Sequence, residues 1–288
     1  MATVLQRSAT APGWDGAAAE PRWSVLVPFF NERDFLPATL ASLAAQDRPV
    51  RVILIDNAST DGSAAVAQAT AETLGMDYLL VTERRAGKVN ALAAGLRWVV
   101  TPFVATCDAD TWYPADYLTQ AEAVLREGHA VAGACFVADR ADPEERARAG
   151  QRICATAQLL RGQCHSGGAG QAFRTATLRA AGGFDAARWG WVLEDHEIVH
   201  RVLKHGTMGY AAELWCAPSL RPRDRASIRW TLTERLIYAA SAPVAGDWFF
   251  YRFLGPRLAA RKLTSDRIRE RGYQEPERPV GAPAYSMC

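Results

Sequence analysis

The run Phe103-Val-Ala-Thr-Cys-Asp108-Ala-Asp110 ends in two carboxylates separated by one small residue. If it is a strand extended through its last residue, Asp108 and Asp110 share a face and Ala109 points the other way. Paired carboxylates at the carboxyl end of a strand suit a hard divalent cation with oxygen ligands, which would bridge the phosphates of a bound nucleotide. Taken alone, Asp-x-Asp is equally an ordinary polar exit from a strand, with Asp110-Thr-Trp-Tyr-Pro114 as the turn. The elements around it must decide.

Those elements alternate. Trp23–Pro28, Val50–Ile55 and Tyr78–Val81 are compact apolar runs of strand length. Between them lie helical patterns: Leu36, Leu40 and Leu43 after Asn31-Glu-Arg-Asp34, and an alanine-rich segment after Asp56-Asn-Ala-Ser-Thr-Asp-Gly62. Gly87-Lys88-Val-Asn90 opens a third helix before the Asp108 strand. Strand and helix at this spacing predict an α/β chain with a parallel sheet, and such sheets bind ligands outside the carboxyl ends of their strands. Pro28–Asn31, Asp56–Asn57 and Asp108–Asp110 all fall on that rim. Further strands are expected at Ala130–Phe136 and Gly209–Ala217, with a charged helix around Asp139–Arg148 and another over His196–His205.

Composition narrows the class. With 288 residues, 49% hydrophobic and 22% charged, the chain is ordinary globular protein, and a net charge of +2 gives no case for a nucleic-acid partner. Cys107, Cys135, Cys154, Cys164, Cys216 and Cys288 show no Cys-x-x-Cys spacing and fit reduced thiols of a cytoplasmic protein. No apolar run approaches the roughly 20 residues that span a bilayer. Residues 1–22, rich in Ala, Thr and Gly, are expected to form a disordered tail.

Two local patterns point elsewhere. Gly167-Gly-Ala-Gly-Gln-Ala-Phe-Arg174 is glycine-rich but lacks the Gly-Lys-Ser/Thr ending of a phosphate loop. His196-Glu197-Ile-Val-His200 matches the zinc-hydrolase helix, yet Leu203 and Gly206 stand where the extended form needs Gly and a third His.

In order, Val27-Pro28 with Asn31-Glu32, Asp56–Gly62, Gly87-Lys88 before Asn90-Ala-Leu92, Asp108-Ala109-Asp110, Gly182-Gly-Phe184 and Glu194-Asp195 make a pattern. Over about Trp23 to Leu220 the chain resembles the inverting, nucleotide-sugar-dependent glycosyltransferases of family 2. The resemblance implies a GT-A, Rossmann-like single domain over residues 23–222 with a mainly parallel central sheet. It also implies roles. Pro28, Asn31, Glu32, Asp56, Lys88, Asp108, Ala109 and Asp110 would bind the nucleotide-sugar donor, most often a UDP-sugar. Asp110, with Asp108 beside it, would hold the metal, Mg²⁺ or Mn²⁺. Asp195 would be the general base towards a hydroxyl acceptor, with Glu194 beside it. Trp189 and Trp191 would flank the acceptor, as stacking platforms or as core beneath the glycine-rich loop. The alternative from another class is a catalytically silent nucleotide-sugar-binding module, and a soluble small-molecule acceptor stays open.

Residues 223–288 read as an amphipathic helical extension. Arg229-Trp230 fits the Gln-x-x-Arg-Trp of membrane-associated members on the acceptor side, but Ala226 replaces the Gln. Trp248, Phe249, Phe250 and Phe253 beside Arg257, Arg261 and Lys262 suit a helix lying on an anionic membrane surface, here the inner face of the membrane. Packing on the catalytic domain, or on a second subunit in a homo-oligomer, is the other reading. Every donor residue named above precedes Ser219, so the chain from Asp247 onward is expected to be dispensable for donor chemistry.

Overall fold

A computed structural model describes residues 3–7, 22–220 and 230–266. The first strand, β1 (Thr3–Arg7), lies in the expected disordered tail and pairs antiparallel with a later strand of the sheet. The correction has a physical reason: edge pairing satisfies backbone groups and needs no hydrophobic periodicity in the added strand. Then follow β2 (Trp23–Phe29), α1 (Leu36–Ala44), β3 (Val50–Asp56), α2 (Ser63–Thr73), β4 (Tyr78–Thr82), α3 (Lys88–Leu96) and β5 (Phe103–Thr106). β4, β3, β2 and β5 lie side by side, all parallel, with Phe29 opposite Asp56 in the β2–β3 ladder.

The second half of the sheet is mixed. It contains β6 (Thr111–Trp112), α4 (Tyr117–Arg126), β7 (Val131–Phe136), α5 (Pro143–Leu159), a 3₁₀ turn (Gly168–Gly170), β8 (Gln171–Arg174), α6 (Thr175–Ala180), α7 (Glu194–Val202) and β9 (Met208–Pro218). β8 runs antiparallel to both β5 and β7, while β7 and β9 are parallel. The strand alternation of period two divides the core into two layers. Trp23, Val25 and Val27 of β2, with Val52 and Leu54 of β3, pack against α1, α2 and α4. Leu26, Ile53 and Ile55 face α3 and α7 on the other side.

β5 ends at Thr106, so Asp108 and Asp110 do not continue an extended strand. The Thr111 amide donates to the Asp108 carbonyl, closing a turn, and the Asp108 amide is held by the Tyr113 hydroxyl.

The C-terminal elements are α8 (Leu232–Asp247), a π-helical turn (Trp248–Leu254) and α9 (Gly255–Ala260). Thr231 and Glu234 form a capping box that starts α8. Phe249, Phe250, Leu254, Leu258 and Leu263 bury fully against Trp189 and Val192 in a third core cluster. Two of the aromatics expected at a lipid surface are therefore interior, and only Trp248 stays about half exposed.

Candidate functional site

The parallel strands converge on a cavity of about 580 Å³ lined by Pro28, Glu32, Lys88, Asp108, Ala109, Asp110, Glu194 and Asp195. Asn57 buttresses one wall. Its side-chain amide donates to the Glu83 and Arg85 carbonyls at 2.8 Å, and its Oδ1 accepts the Gly87 amide at 2.9 Å. That fixes the start of α3 and aims Lys88 inward. Lys88 Nζ meets Asp108 Oδ1 at 2.6 Å and Glu194 Oε1 at 3.8 Å. Burial opposes the ammonium charge, but the Asp108, Glu194 and Asp195 carboxylates outweigh it and raise the Lys88 pKa above the ordinary lysine value.

Asp110 is 6% exposed, and its Oδ2 accepts the Ser219 hydroxyl at 2.9 Å. Asp56, assigned to the donor, is also buried; its Oδ1 accepts the Ser59 amide at 2.9 Å, and its side chain is not part of the cavity wall. Asn31 lies outside the wall as well. In a left-handed conformation that asparagine tolerates, it clamps the Ser59–Ser63 loop by accepting the Thr60 amide at 2.8 Å.

Glu194 and Asp195 occupy the first turn of α7 rather than the residues before it. Leu193, a non-glycine residue at φ 64°, turns the chain into the helix, and such strain is held only where surrounding structure enforces it. Asp195 Oδ2 accepts the Gly168 amide at 2.9 Å; its Oδ1 accepts the His196 amide and meets His196 Nδ1, both at 2.9 Å. The glycine-rich stretch thus packs close rather than cradling phosphate. A Cβ on Gly168 would lie 3.3 Å from Lys88 Nζ and 3.4 Å from Asp195 Cβ.

The two acids part electrostatically. Burial works against the Asp195 charge, but His196 and Lys88 outweigh it and hold Asp195 down at about 2. Burial pushes Glu194 up to about 7, helped by Asp195 and Asp108 and opposed by Lys88. A carboxyl raised in the folded state contributes stability that is complete below its unfolded pKa and lost as pH rises through the folded value. For Glu194 that window runs from about pH 4.5 to about pH 7, whereas Asp195 acts only in the acid range below it. Glu194→Gln, permanently neutral, is expected to remove this loss, worth up to about 3 kcal/mol at about 1.4 kcal/mol per pKa unit. Melting temperatures from pH 4.5 to pH 8 check it: the variant's profile should be flatter than the wild type's, and parallel profiles would refute it.

The aromatic candidates separate. Trp189 is 1% exposed, donates to the Val192 carbonyl at 3.0 Å and stands edge-on to Phe250, so it presents no face to an acceptor. Trp191 is half-buried and bridges to Thr264. Trp230 stacks on Phe249 and meets the His196 ring edge-on, reaching the site through the residue that holds Asp195. Arg229 lies outside the described residues. His200 turns its Nε2 to Asp247 Oδ1 at 2.8 Å, away from His196, and among the described residues no cluster of three His, Cys, Asp or Glu could hold a metal. The zinc-hydrolase pattern therefore has no matching geometry here.

Ser265 also lines the cavity, with its Oγ at the start of α3 beside Gly87. The expectation that everything after Asp247 is dispensable does not hold structurally.

A family model for glycosyl transferase family 2 matches residues 24–180. An undecaprenyl-phosphate 4-deoxy-4-formamido-L-arabinose transferase of Serratia proteamaculans is 35% identical over 115 residues, 38% of this chain and 35% of the relative, so the match spans about a third of that protein. Among solved structures, the mannosyltransferase PcManGT from Pyrobaculum calidifontis, in complex with GDP-Man and Mn²⁺, superposes with TM-score 0.63 at 23% identity, covering 84% of this chain and 74% of that one. TarS from S. aureus, in complex with UDP-GlcNAc, gives 0.55 at 18%, covering 83% and 73%. Both likenesses are of fold, and they place the curled mixed sheet and its helices in the GT-A architecture. On the extent of the family match, the chain belongs to glycosyl transferase family 2.

Proposed function

We propose that the chain transfers one sugar, with inversion, from a nucleoside-diphosphate sugar to a hydroxyl acceptor borne on a lipid or lipid-linked glycan at a membrane face. The observation that carries this is the single cavity in which Asp108, Asp110 and Lys88 stand with Glu194 and Asp195. Asp195 is the base: it is kept ionised and is oriented by Gly168 and His196. It takes the acceptor proton as the acceptor oxygen bonds to the anomeric carbon, and the bond to the diphosphate breaks with its electron pair leaving on phosphate.

Asp110 and Asp108 fit a divalent cation of the Mg²⁺ or Mn²⁺ type. They offer hard oxygen donors, and their small number suits an ion that completes its shell with substrate phosphates and water. When bound, the ion would neutralise the departing diphosphate, and Lys88 offers a second positive charge from α3. A UDP-sugar is the expected donor, and the relatives' names, undecaprenyl-phosphate transferases, favour a lipid acceptor.

The test is thermal stabilisation by a panel of nucleotide sugars with and without Mn²⁺, since a ligand bound only by the native state raises the melting temperature. A shift that needs the metal is expected for a UDP-sugar. Asp110→Asn should abolish that shift with the unliganded protein still folded. Metal-dependent affinity unchanged in the variant would remove Asp110 from the metal site.

The membrane reading rests on α8. Leu232, Leu236 and Val244 are 73%, 61% and 89% exposed, and from Thr231 to Gly246 the only exposed charge is Arg235. No helix among the described residues is long and apolar enough to cross a membrane, so the contact proposed is peripheral, on the cytoplasmic side. Arg257 and Lys262 beyond the helix are exposed and add positive charge, so the protein should sediment with anionic vesicles at low salt and much less at high salt, where charges are screened. No sedimentation at low salt would leave a soluble acceptor as the better reading.

A further inference from the structure

At the opposite end of α7 from the donor cavity lies a groove of about 820 Å³ between the end of α6, the end of α7 and the π-helical turn. Its wall carries the cations Arg188, Arg201, Lys204 and Arg252, with the His205 imidazole beside them, against one carboxylate, Asp247. Two of these cations are already committed. Arg201 pairs with Glu197 through both ends of its fork at 2.7 and 2.9 Å, and its third nitrogen donates to the Ala181 and Gly183 carbonyls at 2.7 Å. Lys204 is taken by Asp247 at 2.5 Å.

Arg188 and Arg252 remain. Among the described residues neither side chain makes an ion pair or a side-chain hydrogen bond, and both are exposed to the groove. Arg188 Nη1 and Arg201 Nη1 also converge. They lie 3.6 and 3.5 Å from where a Cβ of Gly182 would stand, a position that glycine, at φ 87°, leaves empty. With Arg201 balanced by Glu197, the guanidinium groups of Arg188 and Arg252 have no acid partner among the described residues and suit an anion. Their planar forks match the oxygens of a phosphate. The Trp248 ring, about half exposed and stacked on Phe253, forms an apolar rim to the same groove.

We propose that this groove is a second ligand site, which binds a phosphomonoester through Arg188 and Arg252. A phosphomonoester carries about −1.5 to −2 at neutral pH, which matches the two uncommitted arginines. Roughly 10 Å of helix axis separate Asp195 from the groove end of α7, so this phosphate is not the one that leaves the donor. Its carrier is either a lipid headgroup beside the exposed side of α8 or a free phosphorylated molecule, and the two share one chemistry.

The experiment uses the full chain in two arms. Calorimetry measures inorganic phosphate and glycerol 3-phosphate. Co-sedimentation compares phosphatidylcholine vesicles containing phosphatidic acid, a phosphomonoester, with vesicles containing the same fraction of phosphatidylglycerol, a diester. The double variant Arg188→Gln, Arg252→Gln should weaken binding at least about tenfold, with a melting temperature near wild type because both side chains are exposed. Lys88→Gln, which alters the donor cavity, should leave it intact and so keeps the two sites apart. Arginine-dependent binding in calorimetry alone identifies a soluble ligand. A preference for phosphatidic acid over phosphatidylglycerol that depends on the same arginines identifies a lipid headgroup. The proposal is overturned if neither arm shows binding, if Lys88→Gln abolishes binding and the arginine variant does not, or if vesicles of both lipids bind equally while free phosphate does not.

Discussion

Asp195→Asn is expected to lower turnover by about 10² to 10⁴-fold, the usual cost of removing a general base, with donor affinity almost unchanged. Asparagine keeps the volume and can still accept the Gly168 amide, so the glycine turn stays in place. It cannot take the acceptor proton. It also ends the pull that Asp195 exerts on His196 Nδ1, while Lys88 keeps its ion pairs with Asp108 and Glu194, so the change is felt at the reacting oxygen far more than at the nucleotide. Steady-state kinetics beside calorimetric titration of the donor separate the two effects. Turnover near wild type would transfer the base to Glu194, which at about 7 is tuned closer to neutral pH. Donor affinity falling in step with rate would mean that Asp195 serves binding instead.

Ending the chain after Asp247 is expected to abolish folding rather than merely membrane contact. The truncation removes Phe249, Phe250, Leu254, Leu258 and Leu263, each no more than 3% exposed. At about 1.5–3 kcal/mol for a fully buried apolar side chain, their loss is worth roughly 7–15 kcal/mol, which matches the roughly 5–15 kcal/mol total stability of a typical protein. It would also bare Trp189 and Val192, on which the turn into α7 rests. Circular dichroism and limited proteolysis of the shortened chain should show a loosened or aggregated protein. A cooperative melt within a few degrees of the full chain would show that α8 and the core before it stand without these residues.

The contrast between these two variants marks what could be read from the residues. Asp108, Asp110, Lys88, Glu194 and Asp195 were visible because each sits at an element end where local spacing has meaning, and the structure gathers them in one cavity. The compact apolar runs Trp23–Pro28 and Val50–Ile55 likewise announced strands, and the two faces of those strands feed two core layers. Contacts over long chain separations were not visible. Ser219 reaches Asp110 across 109 residues, and Gly168 reaches Asp195 across 27; no pattern in the intervening sequence encodes either. Trp189 and Trp191 illustrate the limit. Two residues apart and of one type, one is core and the other half-exposed, a distinction made by Phe250 and Thr264 arriving from the C-terminal region. Asp56 and Asn31, named from motif position, hold the rim loop by accepting the Ser59 and Thr60 amides, contacts that motif position alone does not announce.

The pairing of Gly190–Val192 with Leu263–Ser265 carries a consequence for exchange of amide hydrogens with solvent. The Val192 amide donates to the Leu263 carbonyl at 3.1 Å and the Ser265 amide to the Gly190 carbonyl at 3.0 Å, around the Trp191–Thr264 bridge. Neither amide can be exposed without undoing the same short ladder, so both should report one opening free energy in deuterium exchange, as a single cooperative unit. Leu193 and the first turn of α7 adjoin one strand of that ladder, and the cavity residue Ser265 lies on the other. Each opening would therefore release the base and a piece of the donor wall in one event, and a donor that bridges them should slow both amides by the same factor.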